Sequence, residues 1–135
     1  MEKAKAVEAL NNAIMEELKA VFQYMQHHYL ARGLESPAVS NMFFELAIEE
    51  MKHSYRLSER VVALGGIPAI RQNPIKIPKK LREMIEQNRD DVNRLIKDYR
   101  KYIEDVGSDI TTRRLFEEIL ADEEKSLAKL EALLE

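Results

Sequence analysis

The chain has 135 residues, enough to enclose one hydrophobic core, and carries 24 acidic residues against 21 Lys and Arg for a net charge of -3. So mild a charge makes no electrostatic case for a nucleic-acid partner, and with no cysteine there are neither disulfides nor thiolate metal sites. The opening "MEKAKAVEAL" lacks the apolar run of a signal peptide, and no stretch approaches the roughly 20 apolar residues that span a bilayer, so the expected setting is cytoplasmic and away from membranes.

Only four Gly and four Pro interrupt the chain, and apolar residues recur at helical spacing throughout, with no strand-like alternation. A first helix is expected over residues 2–32, closed by Gly33. Ser36-Pro37 reads as an N-cap followed by Pro at the first helical position, opening a second helix that runs to Leu64 and stops at Gly65-Gly66. The segment "GGIPAIRQNPIKIP" holds Pro68, Pro74 and Pro78 and reads as an extended connector. A third helix is expected from Pro78 to the residue before Gly107, and a fourth, capped by Ser108, to the end. The first and last links are short, so each flanking pair is expected to be an antiparallel hairpin. A connector of about 13 residues reaches roughly 43 Å, the length of a helix of about 29 residues. It therefore spans the bundle and leaves helices two and three parallel. The reading is all-α: residues 1–135 as a single ferritin-like four-helix domain, two hairpins joined by one long crossover.

Each helix has an inward face with a polar break near its middle. Glu17 stands among Leu10, Ile14, Val21 and Tyr24. Glu50 and His53 stand among Phe43, Leu46 and Leu57, and Glu123 among Phe116, Ile119 and Leu130. The third helix is less clear, with Asn88 and Asp91 on or beside its face. In a bundle of this topology these breaks share one height. Glu17, Glu50, His53, Glu123 and, with them, Asp91 are expected to converge. Carboxylates so placed stay ionised only if cations neutralise them, and oxygen ligands with one imidazole suit iron or manganese, and zinc less selectively. An isolated E-x-x-H arises readily by chance on Glu-rich helices; the common height is what makes this one a candidate. Tyr24 lies two turns from Glu17 on the same face, placed to bond a metal-bound carboxylate and donate an electron to an oxidised centre, or simply to pack as a core tyrosine.

The segments "MEELKAVFQY", "AIEEMKHSYRLSERVVALGGIP" and "LFEEILADEEKSLAKLEALL" resemble the bacterioferritin family. The likeness covers about residues 5–70 and 109–134, and is weak in the connector and third helix. It implies iron at one or two positions per chain, with Glu17 a terminal ligand, Glu50 and Glu123 bridging carboxylates and His53 an imidazole ligand. It also implies haem, with Met51 as the methionine that binds it from both subunits of a two-fold dimer. Three departures stand out and imply that a second metal site is degraded or absent. "EEKS" puts Ser126 where the family has a second histidine. Val92 stands where its third helix has a glutamate, with Asp91 only nearby. No short fifth helix, of the kind that lines a channel of the family's cage, is expected.

A second apolar stripe runs along the first two helices: Met15, Leu18, Phe22, Met25 and Tyr29, with Phe44, Ile48, Met51 and Tyr55. Two stripes on one helix mean burial on two sides, and a homodimer through this face is expected. His27 and His28 point about 100° apart and are not expected to share an ion. The basic residues around the connector read as solvated surface. Three functions remain open: a ferroxidase or related di-iron oxidase acting on Fe(II), a non-catalytic metal- or haem-binding helical dimer, or a structural protein whose metal site has decayed.

Overall fold

A computed structural model describes residues 2–135 and contains four helices: α1 (Glu2–Leu30), α2 (Ser36–Ala63), α3 (Leu81–Val106) and α4 (Ile110–Leu133). α1 packs most extensively on α2 and α3 on α4, and α1·α3 and α2·α4 contacts close the bundle. Three helix starts differ from the sequence reading. Ser36 is already helical and Glu35 occupies the cap position with no side-chain cap bond, because Pro37 holds the first turn in place. Asp109, not Ser108, caps α4: its carboxylate accepts from the Thr112 N–H at 3.2 Å, while the Ser108 hydroxyl donates to Glu2. α3 begins at Leu81, three residues beyond Pro78.

The end of α2 shows why two glycines stand together. Gly65 has φ +84°, which a side chain would strain, and a Cβ at Gly66 would lie 2.8 Å from Val7 Cγ1. The chain then follows α1. Asn11 accepts from the Ala69 N–H at 2.9 Å and donates to the Ile67 carbonyl at 3.1 Å, Asn73 donates to Glu16, and Gln23 grips Lys76 through both its N–H (2.9 Å) and its carbonyl (2.7 Å). Contacts therefore advance along α1 in step with the connector. α3 is delivered to the far end of α1 and runs back antiparallel to it.

Two apolar clusters fill the bundle. Leu10, Ile14, Leu57, Val61, Tyr99, Phe116 and Ile119 form one; Tyr24, Phe43, Leu46, Met84, Val92, Ile96 and Leu130 form the other. Between them lies a layer of buried polar side chains. Burying the large apolar groups stabilises the fold by about 25 cal/mol per Å² removed from water. The polar layer works against that and needs its own explanation.

Candidate metal centre

Glu17 from α1, Glu50 and His53 from α2 and Glu123 from α4 meet in this layer, all but fully buried (0–2% exposed). One ligand atom from each lies within 4.8 Å of the others. The middle turns of α1, α2 and α4 present these residues because each sits in the 3.6-residue register of its apolar face. His53 Nδ1 is 3.1 Å from Glu50, 3.3 Å from Glu123 and 3.4 Å from Glu17. Donors about 3 Å apart are what an ion with bonds of about 2 Å collects around itself.

The orphaned atoms are the decisive feature. Glu17 Oε2, both oxygens of Glu50, both of Glu123 and His53 Nδ1 are buried without a well-formed hydrogen bond. Leaving such groups unpaired costs about 1–3 kcal/mol each, and more when charged. The protonation pattern reflects this crowding. Burial, then the charges of Glu123 and Glu17, push the Glu50 carboxyl well up. Burial and Glu17 push Glu123 up to about 7. Burial opposes the His53 cation, but the close approach of the Glu123, Glu17 and Glu50 carboxylates outweighs it and holds the imidazolium far above its usual range. A bound cation balances these carboxylates in place of the protons that crowding forces them to share.

Two supporting residues escaped the sequence reading. Tyr99 of α3 donates to Glu17 Oε1 at 2.6 Å from full burial, the part assigned from sequence to Tyr24. An aromatic at helical spacing gives no sign that its hydroxyl is used. Asp122, next to Glu123, takes the His53 Nε2–H at 2.9 Å. That bond leaves Nδ1 to face the carboxylates and fixes the ring as an outer carboxylate fixes a ligand histidine. The tandem "DE" in α4 was its only signal.

The remaining sequence candidates are not among the clustered ligand residues. The Tyr24 hydroxyl is buried without a partner, its ring stacked on Phe43 at 6.4 Å. Asp91 is half-buried and paired with Arg94, because α3 turns Val92 (3% exposed) inward and its neighbour falls on the flank. Met51 is 51% exposed on the outer face of α2. His27 is buried and His28 partly exposed; His28 bonds Ser40 across the α1–α2 hairpin.

A four-helix bundle with carboxylates and an imidazole projecting into its core is the design of the carboxylate-bound metal bundles. Residues 7–135 match the model of the ferritin-like domain. The bacterioferritin of Brucella melitensis is 32% identical over 97% of this chain and 83% of its own. The structure of Desulfovibrio desulfuricans bacterioferritin, determined with its diiron site in different catalytic states, superimposes with a TM-score of 0.94 at 30% identity over 98% of this chain and 79% of that one. That of Rhodobacter capsulatus bacterioferritin, with a metal-free dinuclear site and haem iron, gives 0.86 at 31% identity over 96% and 82%. The chain belongs to the ferritin-like family, with bacterioferritins as its relatives.

Proposed function

We propose that this chain binds iron through Glu17, Glu50, His53 and Glu123 and acts on Fe(II), as a ferroxidase in which the electron leaving the metal passes to dioxygen or peroxide. The observation that carries the reading is the set of six buried, unpartnered ligand atoms on those four residues. A divalent cation compensates the carboxylates and displaces the protons that crowd them, and three oxygen-donor residues with one imidazole suit iron. Iron supplies the one-electron chemistry. The protein residues supply the rest: Asp122 orients His53, Tyr99 orients Glu17, and the apolar clusters on either side keep the layer dry. Tyr24, which lines one cleft with Glu50, is proposed as an electron donor to the cluster. The test is iron content after anaerobic Fe(II) loading and desalting, with the spectrum followed on admitting air. The wild-type chain is expected to retain iron and develop ferric absorption. Glu50→Ala is expected to retain none, and full retention by that variant would falsify the site.

The exposed stripe on α1 and α2 supports a second element of the proposal. Phe22, Phe44, Met51 and Tyr55 are 43–65% exposed and share one side of the hairpin. Side by side, they form an apolar patch of the kind that pairs with its own copy. We infer a homodimer through this face, the cytoplasm as its setting, and residues 1–135 as one domain. In such a dimer Met51 is the residue to hold haem iron from both sides. Met51→Leu is expected to abolish haem absorbance without altering non-haem iron content.

A further inference from the structure

We propose that the chain holds one metal ion rather than two, and that the space beside it, on the α3 side, receives a neutral diatomic ligand such as dioxygen or nitric oxide. The inference rests on the iron-binding reading above and concerns what this chain's own residues leave room for.

A pair of ions in this class of bundle takes a glutamate from each of two helices and a Glu-x-x-His pair from each of the other two, four carboxylates and two imidazoles in all. Here three carboxylates and one imidazole meet, and Glu49 and Asp122, which gather on that same imidazole, bring no second histidine. The missing donors are replaced by groups that do not ligate. Val92 and Leu95 form the α3 wall, and Asp91 on its flank is paired with Arg94. On α4, Ser126 stands three residues after Glu123 and turns its hydroxyl to the Asp122 carbonyl at 3.2 Å. Donors suffice for one ion, and the side toward α3 is left open.

That side is not filled by packing. A narrow cleft of about 20 Å³ runs between α1 and α3, lined in part by Ala20, Tyr24, Glu50, Asn88, Val92 and Leu95. A cavity needs roughly 10–15 Å³ to take one water-sized molecule, so this one admits a water or a diatomic, not a second ion with its ligand shell. Three of the lining side chains are at least 98% buried, yet carry polar atoms without partners: the Tyr24 hydroxyl, Asn88 Nδ2 and the Glu50 carboxylate. Tyr24 and Asn88 are donors, so the occupant accepts hydrogen bonds. Glu16, Lys19, Gln23 and Asp91 complete the lining, while Ala20, Val92 and Leu95 favour an occupant that sheds water easily. A neutral diatomic meets both conditions, and Glu50, shared by cleft and cluster, places it next to the ion.

The full-length chain, loaded anaerobically with Fe(II), is assayed for iron per chain and then exposed to nitric oxide under electron paramagnetic resonance. The expected result is one iron per chain and a half-integer-spin iron–nitrosyl signal accounting for all of it. Val92→Phe, which fills the cleft without replacing a ligand, is expected to keep the iron and lose the signal. Two irons per wild-type chain would overturn the single-ion assignment and leave the iron-binding reading standing. No iron would overturn both. One iron with an undiminished nitrosyl signal in Val92→Phe would overturn the cleft. Should that variant fail to fold by circular dichroism, Val92→Leu takes its place, with weakened nitric oxide affinity supporting the cleft and unchanged affinity overturning it.

Discussion

At the scale of single residues, the layer shows which polar groups are held for the metal and which for the fold. Tyr99 spends its hydroxyl on Glu17 Oε1, leaving Oε2 free toward His53. Tyr99→Phe keeps the ring that packs on Phe116 but removes the donor. Its expected effect is a fall in iron affinity of about 10–100-fold, the usual penalty for losing an outer-sphere bond to a ligand, measured by competition with a chelator. His27 is held differently. Gln23 has its carbonyl oxygen committed to the Lys76 N–H, so its amide nitrogen is the donor to His27 Nε2 at 2.9 Å, and the ring must accept there and stay neutral. Burial, partly offset by Asn88 and Asp91, lowers its pKa from 6.5 to about 4. A depressed imidazole stabilises the fold fully above the unfolded value and loses that contribution as pH falls through the folded one. Between pH 6.5 and 4 the wild-type protein is expected to lose about 3 kcal/mol relative to His27→Gln. Urea titrations of both proteins across that range isolate the difference, and parallel curves would sink the assignment.

At the scale of elements, the convergence of Glu17, Glu50, His53 and Glu123 was legible because each interrupts an otherwise apolar face, and chain topology alone brings three such interruptions to one height. The third helix was not legible. Asn88, Asp91 and Val92 fall within about one turn, and a small rotation of α3 decides which of them looks inward; packing against α1 and α4 makes that choice, and it settles on Asn88 and Val92. Helix caps shifted by one residue for a similar reason, since Ser108 and Asp109 are both competent and only Asp109 reaches the Thr112 N–H while also meeting Arg60 at 3.0 Å. The rotation of α3 has a consequence for stoichiometry. Val92→Glu combined with Ser126→His supplies the carboxylate and imidazole that the cluster lacks, on the two helices that now offer Val and Ser. The double variant is expected to bind two irons per chain, and to be less stable than wild type without metal because it adds a buried charge. Iron content by colorimetry and thermal melts with and without Fe(II) check both parts; a single iron with an unchanged melt would show that the neighbouring side chains still exclude the second ion.

At the scale of the whole molecule, the ligand layer and the outer stripe lie on opposite sides of α1 and α2. The cluster faces inward from Glu17, Glu50 and His53, while Phe22, Phe44, Met51 and Tyr55 face outward. Glu50 and Met51 are adjacent in sequence, and helical geometry separates their directions by about 100°. Assembly and metal binding are therefore separable by mutation. Phe22→Glu with Tyr55→Glu places two charges on the stripe, four where copies meet across a two-fold axis, at the cost of a close like-charge encounter in a dry interface. Sedimentation is expected to show the wild type as a dimer and the double variant as a monomer. Iron content per chain is expected to stay the same, because every ligand of the cluster comes from one bundle. A variant that loses iron along with its partner would mean that the interface holds α1 and α2 in the rotation the ligands require, and the metal would then be a property of the dimer.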